Sequence, residues 1–225
     1  MNSISAIIPT LNESANIESM LLFMRKLDPA IELIVVDAYS DDDTVNKAKR
    51  YAHVITSERG RGVQMNAGAR IARGEIFWFL HADCLPHPQS VHTMRHVLAN
   101  PNIVGGAFEY ELDHPGLHYQ LAVSLSNMKN KFFKLLFGDM GIFVRREIFY
   151  QMNGFRMIPL MEDMDFSIRL KKQGSVVILP FRMHTSARRW IDEGYVKHSV
   201  RSWVFQSAYA LGASPNILAR FYKFK

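Results

Sequence analysis

Three acidic positions stand where a regular element begins or ends. Asp37 closes the apolar run IELIVVD, Asp83 lies just past EIFWFL, and Glu162–Asp163 opens the stretch MEDMDFSIRLKKQG. A carboxylate next to buried strands is costly to desolvate, so it must reach water or hold something positive. In an open parallel sheet, ligands bind outside the carboxyl ends of the strands. Asp37 and Asp83 would then flank one crevice. The natural partner there is a divalent cation, Mg²⁺ or Mn²⁺, which takes oxygen ligands and is shared with substrate phosphates. Plainer roles stay open for each site. Asp37 can cap a turn, with Ser40 and Asp42 solvating the loop, while Asp41–Asp43 and Glu162–Asp163 can complement helix dipoles.

The elements around these acids alternate. SAIIP reads as a first strand, followed by a helix capped at Asn12 or Ser14, with Ile17, Met20, Leu21, Met24 and Leu27 on one face. IELIVVD, HVITS and EIFWFL read as further strands. The intervening helices run from Ser40 or Asp41 to about Ala52, and through GVQMNAGARIA. Such alternation predicts an α/β fold with a mostly parallel sheet flanked by helices. Beyond Asp83 the pattern loosens: a helix QSVHTMRHVLAN, a strand VGGAFEYEL, a long helix over 117–137, a short strand and helix in GIFVRREIFYQMNGF, a helix from Glu162 to Gly174, and a last strand VVILP. From Ser186 the chain is basic, aromatic and helical, with a final helix opening at Ser214–Pro215.

Composition sets bounds. The 225 residues are 48% hydrophobic and 21% charged, which suits a folded domain with its own core. Cys84 is the only cysteine, which excludes an intramolecular disulfide and fits a reducing compartment. Neither a signal-peptide pattern nor an apolar run of ~18 residues occurs, so the chain reads as cytoplasmic. The net charge of +6 favours anionic partners, although solvated basic faces explain it equally well.

The ordered segments AIIPTLNE, LIVVDAYSDDDT, RGRGVQMNAGARIARGEIFWFLHADCLP, GDMGIFVRREIFYQMNGF and MEDMDFSIRLKKQG resemble a family-two glycosyltransferase of the GT-A fold, over residues 4 to 180. TSARRW and the HAD form of the acidic motif resemble a compact bacterial subgroup labelled arsenosugar-biosynthesis glycosyltransferases. The resemblance implies a nucleotide-binding part over about 1–100, an acceptor part over about 101–185, and a tail over 186–225 packed on them. It implies that Pro9, Asn12, Glu13, Asp37, Ser40 and Asp42 contact the nucleotide, with Arg59, Gly62 and Asn66 closing over it. Arg59 or Arg61 would neutralise the diphosphate. Asp83 would hold the metal, and Asp163, with Glu162 beside it, would be the general base. Gly138 and Asp139 would lie at the donor and acceptor, and Arg188, Arg189 and Trp190 would reach the diphosphate.

His81 departs from the pattern of the resembling family, most of whose members carry an aspartate there. A neutral imidazole is a poorer ligand for Mg²⁺ than for Mn²⁺ or Zn²⁺. Either His81 joins the metal or, with Ala82, it faces the nucleotide and leaves the metal to Asp83. His184, read as lying just after the last strand, is a further ligand candidate. The implied chemistry is metal-dependent, inverting hexosyl transfer from a nucleotide-diphosphate sugar, UDP-linked, to a hydroxyl acceptor.

Rival functions find less support. Gly60-x-Gly62 has Met65 where a dinucleotide fingerprint needs its third glycine, and no phosphate loop of P-loop type exists. A sugar-phosphate nucleotidyltransferase would not need the Glu162–Asp163 helix start, and an anion- or nucleic-acid-binding module would leave the acids unused. The basic aromatic tail fits a peripheral membrane contact; the plainer alternative is that its aromatics pack on the sheet or form a homodimer seam while the charges face water.

Overall fold

The computed structural model describes residues 3–222. Four parallel strands form its first half: β1 (Ile4–Thr10), β2 (Glu32–Asp37), β3 (His53–Thr56) and β4 (Ile76–Phe79). Between them run α1 (Ile17–Leu27), α2 (Thr44–Ala48) and α3 (Arg61–Ile71). Every residue of β1 and β4 is buried, which is why these segments read as unbroken apolar runs instead of alternating ones. Pro9 is tolerated near the end of β1 because β4 stops pairing at Ile7, so Pro9 flanks only β2. α1 buries Ile17, Met20, Leu21 and Met24 at helical spacing.

The second half contributes β5 (Cys84–Leu85), α4 (Ser90–Val97), β6 (Ile103–Leu112), α5 (Leu117–Phe133), a 3₁₀ turn (Gly138–Met140), β7 (Phe143–Arg145), α6 (Arg146–Gln151), α7 (Glu162–Leu170) and β8 (Ser175–Thr185). The single sheet has the order β3-β2-β1-β4-β7-β6-β8-β5. β7 is antiparallel to both β4 and β6, and β5 is antiparallel to β8, while β6 and β8 are parallel. The carboxyl ends of β1, β2, β4, β6 and β8 therefore share one edge. Gly105 and Gly106 are required at the β6–β7 junction, since added Cβ atoms would lie 2.5 Å from the Phe143 carbonyl oxygen and 2.3 Å from that of Val177.

Four elements differ from the sequence expectation. β8 runs five residues past VVILP's proline, to Thr185. Its register against β6 jumps between Phe108↔Leu179 and Glu109↔Arg182, so Pro180 and Phe181 form a bulge that accommodates the proline. The helix expected from Ser40 shrinks to Thr44–Ala48, because Ser40 and Asp42 are tied into loop hydrogen bonds. The helix expected to reach Gly174 ends at Leu170. The long helix stops at Phe133, where Lys134 turns left-handed at φ 50°.

β7 pairs with Gly105 and Gly106, and among the described residues no strand covers the rest of that β6 edge. Asn127 of α5 fills the gap. Its Oδ1 accepts the Tyr110 N–H at 3.3 Å, and its Nδ2 donates to the Tyr110 carbonyl at 2.8 Å. The core between sheet and helices is aromatic, with Phe77, Trp78, Phe108, Phe143 and Phe166 fully buried; each such side chain contributes about 2 kcal/mol by leaving water. The tail forms α8 (Arg188–Glu193), α9 (Tyr195–Ala210) and α10 (Pro215–Arg220). Phe205 and Leu218 meet Leu160 in a small second core, and the Tyr209 hydroxyl donates to Asp165 at 3.1 Å. Among the described residues, no helix is long and apolar enough to cross a membrane.

Candidate active site

Two loops at the carboxyl edge are locked together. The Asn12 N–H donates to Ser40 Oγ at 2.8 Å, and Asn12 Oδ1 accepts the Asp41 N–H at 2.9 Å. Asn12 adopts φ 54°, a left-handed conformation that asparagine tolerates better than most residues. The Glu13 N–H donates to Thr44 Oγ1, and the Ser14 N–H to Asp42 Oδ2. The slight burial of Asp42 is outweighed by hydrogen bonds from Ser14 and Thr44, which hold its carboxyl well below the usual range. Asp37 is only 1% exposed. Its carboxylate accepts from Thr10 Oγ1 at 3.0 Å, from the Ser40 N–H at 2.8 Å and from Ser40 Oγ. Gln64, which the sequence did not single out, bridges the same strand ends by donating to the carbonyls of Thr10 and Val36 at 2.9 and 2.8 Å.

A second group of carboxylates gathers beside this platform. Asp83 sits in the turn between β4 and β5, which closes with a hydrogen bond from the Cys84 N–H to the His81 carbonyl around buried Ala82. Asp139 comes from the 3₁₀ turn, and Glu162 and Asp163 from the first turn of α7. Asp163 Oδ2 accepts the Gly138 N–H at 3.1 Å, and its Oδ1 accepts the Met164 N–H at 2.7 Å. Gly138 is pressed against His81: an added Cβ would lie 2.3 Å from His81 Nε2. Pro9, His81, Gly138, Glu162 and Asp163 line one narrow space with Arg61.

Charge in this group is poorly balanced. Burial, and then the neighbouring Asp163 charge, push Glu162 up to about 7 against the pull of Arg61. Burial and Asp163 likewise push Asp139 up to about 6, again opposed by Arg61. Arg61 is the central cation, 3.7 Å from Glu162. Its enclosure alone would weaken its charge, but Glu162, Asp163 and Asp83 hold its pKa above the ordinary value. Arg188 at the start of α8 adds a second cation, 3.7 Å from Glu13 and 4.0 Å from Asp83. Cys84 is buried, and burial pushes its thiol far up, with Asp83 adding to the shift; it is an inert neighbour.

Several residues singled out from the sequence lie elsewhere or do other work. Of the two arginines singled out for the diphosphate, Arg59 is exposed on the loop before α3, whereas Arg61 stands beside Glu162. Gly62 allows α3 to touch the connection between α6 and α7, since a Cβ there would lie 2.6 Å from the Arg156 carbonyl oxygen. The Asn66 amide is spent on the Phe155 backbone, donating to its carbonyl at 2.8 Å and accepting its N–H at 2.9 Å. His184 lies inside β8, adjacent in sequence to Thr185, which faces Asp139. Successive strand residues point to opposite faces, so His184 turns away from Asp83 and bonds Glu111 at 2.6 Å. Trp190 packs inward against Tyr119 and His198, with ring centroids 6.4 and 4.6 Å away. The Arg189 side chain lies outside the described residues.

Among the described residues, no three His, Cys, Asp or Glu groups converge as a ready-made metal cage. The donor set fits a shared cation instead. Asp83 offers one carboxylate, with His81 beside it, amid acids that a cation would relieve; hard divalent ions are commonly held this way, completed by substrate phosphate oxygens. A larger cavity of about 560 Å³ lies apart from the acids, beneath α5, lined by Glu109, Glu111, His114, Lys131 and Arg182 among others.

Residues 5–157 match the family model Glycosyl transferase family 2. The chain belongs to this family. Solved structures agree on the fold, which is of the GT-A type. The mannosyltransferase PcManGT from Pyrobaculum calidifontis, solved with GDP-Man and Mn²⁺, superposes with TM-score 0.69 at 20% identity, covering 99% of this chain and 65% of that one. Glucosyl-3-phosphoglycerate synthase from Mycobacterium tuberculosis, solved with Mn²⁺, UDP and glucosyl-3-phosphoglycerate, gives 0.63 at 21% identity over 91% of this chain and 80% of that one. S. aureus TarS 1-349 in complex with UDP-GlcNAc gives 0.64 at 16% identity over 82% and 58%. This chain thus spans less than two thirds of PcManGT and of that TarS chain. No curated protein sequence matches it significantly.

Proposed function

We propose that this glycosyltransferase moves a hexosyl group from a nucleotide-diphosphate sugar, UDP-linked, to a hydroxyl acceptor in the cytoplasm, with inversion and with help from Mn²⁺ or Mg²⁺. The observation that carries the reading is the group Asp83, Asp139, Glu162 and Asp163 around Arg61 at the carboxyl edge of a family-two fold. Two of the three solved relatives above hold a uridine nucleotide, which favours UDP. TSARRW and HAD support the narrower bacterial subgroup.

In this reading the interlocked loops carrying Asn12, Glu13, Asp37, Ser40 and Asp42 form the platform for base and ribose. Asp83, with His81 beside it, would hold the cation, which when bound supplies Lewis-acid stabilisation to the leaving diphosphate. Arg61 and Arg188 add fixed positive charge next to the same phosphates. Asp163 is only half-buried, and its orientation is set by the N–H groups of Gly138 and Met164. It takes the proton from the acceptor hydroxyl as that oxygen bonds to the anomeric carbon and the carbon–phosphate-oxygen bond breaks. Attack from the face opposite the leaving group inverts the centre and needs no covalent enzyme intermediate.

Calorimetric titration of UDP in the presence of Mn²⁺ tests the cation and donor roles together. EDTA should abolish binding, and Asp83→Asn should weaken it at least ~10-fold with an unchanged circular dichroism spectrum, as expected where charge on phosphate is a main binding term. UDP affinity indifferent to both changes would overturn the reading. Donor hydrolysis across nucleotide sugars then identifies the sugar.

A further inference from the structure

α5 is amphipathic in the wrong sense for a helix that only packs on its own domain. Its buried face holds Tyr119 and Val123 but also Asn127 and Asn130, whereas Leu117, Leu121, Leu125, Met128 and Phe132 follow one another at spacings of three and four on the outside. Phe132 is 81% exposed and Leu117 69%. α9 lies alongside in the same direction: the His118 and Tyr195 rings are 4.6 Å apart, and eleven residues further along α5, Lys129 sits over the Trp203 ring at 5.6 Å. α9 carries its own outward stripe of Val196, Val200, Trp203 and Val204, each at least half exposed. Lys129 joins the two stripes into one face. Contiguous exposed apolar surface of this kind marks an interaction site.

The charges on this face have one sign. Residues 114–138 and 194–225 contain no aspartate or glutamate. Lys131 and Arg201 are paired with Glu109 and Glu193 from neighbouring segments, and Lys129 bonds Gln206 across the two helices; Lys197 on α9 and Lys134, just past the end of α5, are exposed, so every charge the two helices themselves carry is positive. A second copy of this chain on the same face would set cation against cation around the apolar centre, which opposes self-association. An anionic lipid surface meets both features, with apolar side chains entering the acyl boundary and lysines meeting the headgroups.

We propose that the face formed by α5 and α9 docks this enzyme on an anionic membrane surface. Vesicle flotation tests this with the full chain, using phosphatidylcholine vesicles with and without phosphatidylglycerol. The chain should float with the anionic vesicles at low salt, and much less with neutral ones or at high salt. Leu121→Glu/Leu125→Glu should cut the floated fraction at least ~10-fold. Both side chains are more than half exposed and lie far along α5 from the acids, so thermal unfolding should shift little and UDP binding should stay unchanged. Val200→Glu on α9 gives an independent variant with the same expected direction. Absence of flotation on anionic vesicles, or equal flotation by both variants, would overturn the proposal. So would light scattering that finds a dimer in the native chain and a monomer in the double variant, because the face would then be a seam between copies.

Discussion

Asp163 and Asp165 are two residues apart on one helix and have opposite surroundings. Asp165 is buried and fully answered: Arg169 at 2.6 Å, Arg156 at 3.1 Å and the Tyr209 hydroxyl at 3.1 Å surround it. Asp37 is similar, closed in by Thr10 and Ser40. Asp163 accepts the backbone N–H groups of Gly138 and Met164 and shares Arg61 with Glu162, and its neighbours Glu162 and Asp139 are pushed towards neutrality by burial and by its charge. Carboxylates that hold the fold are matched within the chain, whereas those gathered around Arg61 are left with less cation than they need. A substrate-shared metal and a proton to be abstracted would complete the second group and have no place in the first.

The sharpest break in this comparison pairs the two aspartates. Asp163→Asn should lower turnover ~100-fold or more, the scale of a lost positioned base, while UDP binding persists. Asp165→Asn should leave turnover of the folded protein near normal and lower its stability by about 3 kcal/mol, because Arg169 loses its buried partner. Urea unfolding and steady-state kinetics on both variants read the two effects. Near-normal transfer by Asp163→Asn would remove the base assignment, and a larger loss from Glu162→Gln would move it one residue.

Individual residues also differ in how far the sequence disclosed them. Asp37, Asp83 and Glu162–Asp163 were legible because each adjoins an apolar run or opens a helical pattern, and the parallel sheet gathers such ends by topology. Arg61 was not separated from Arg59, because the choice depends on where α3 begins at Gly60–Arg61. Gln64 and Asn66 were opaque or misread for another reason: their partners are 28 to 89 residues away, and no local pattern marks them. β8's passage through Pro180 depends on a bulge set by its neighbour β6. The α5 stripe was present as a periodic run of Leu, Met and Phe, but periodicity gives a face without saying whether it turns in or out.

A smaller effect should appear in pH dependence. Asp139 at about 6 and Glu162 at about 7 lie above their ordinary values of 3.8 and 4.5, so the folded chain binds more protons than the unfolded one between those limits. Their contribution is fully present below the unfolded pKa and is lost as pH rises through 6 to 7. Without divalent cation, the unfolding free energy from urea titration should therefore fall by on the order of 1–2 kcal/mol from pH 5 to pH 8, after allowance for solvent screening, and the urea midpoint should fall with it. Mn²⁺ with UDP should recover most of that loss, and Asp139→Asn should flatten the slope. A midpoint that rises over this range would mean the acids are already compensated, and the contrast with Asp165 would collapse.

The smallest expected effect concerns how closely the site is built. Gly138 donates its N–H to Asp163 and leaves no room for a Cβ beside His81 Nε2. Gly138→Ala strains no backbone that an L-residue avoids, so the clash falls on the imidazole, which can swing aside. Stability should change by about 1 kcal/mol or less. If His81 and Asp163 face the same donor, displacing one and shifting the N–H that orients the other should raise the KM for the donor several-fold and lower kcat modestly. Gly138→Ser should do the same, with a somewhat larger shift. Kinetics unaltered by both substitutions would place His81 outside the site and confine the working acids to Asp83 and the start of α7.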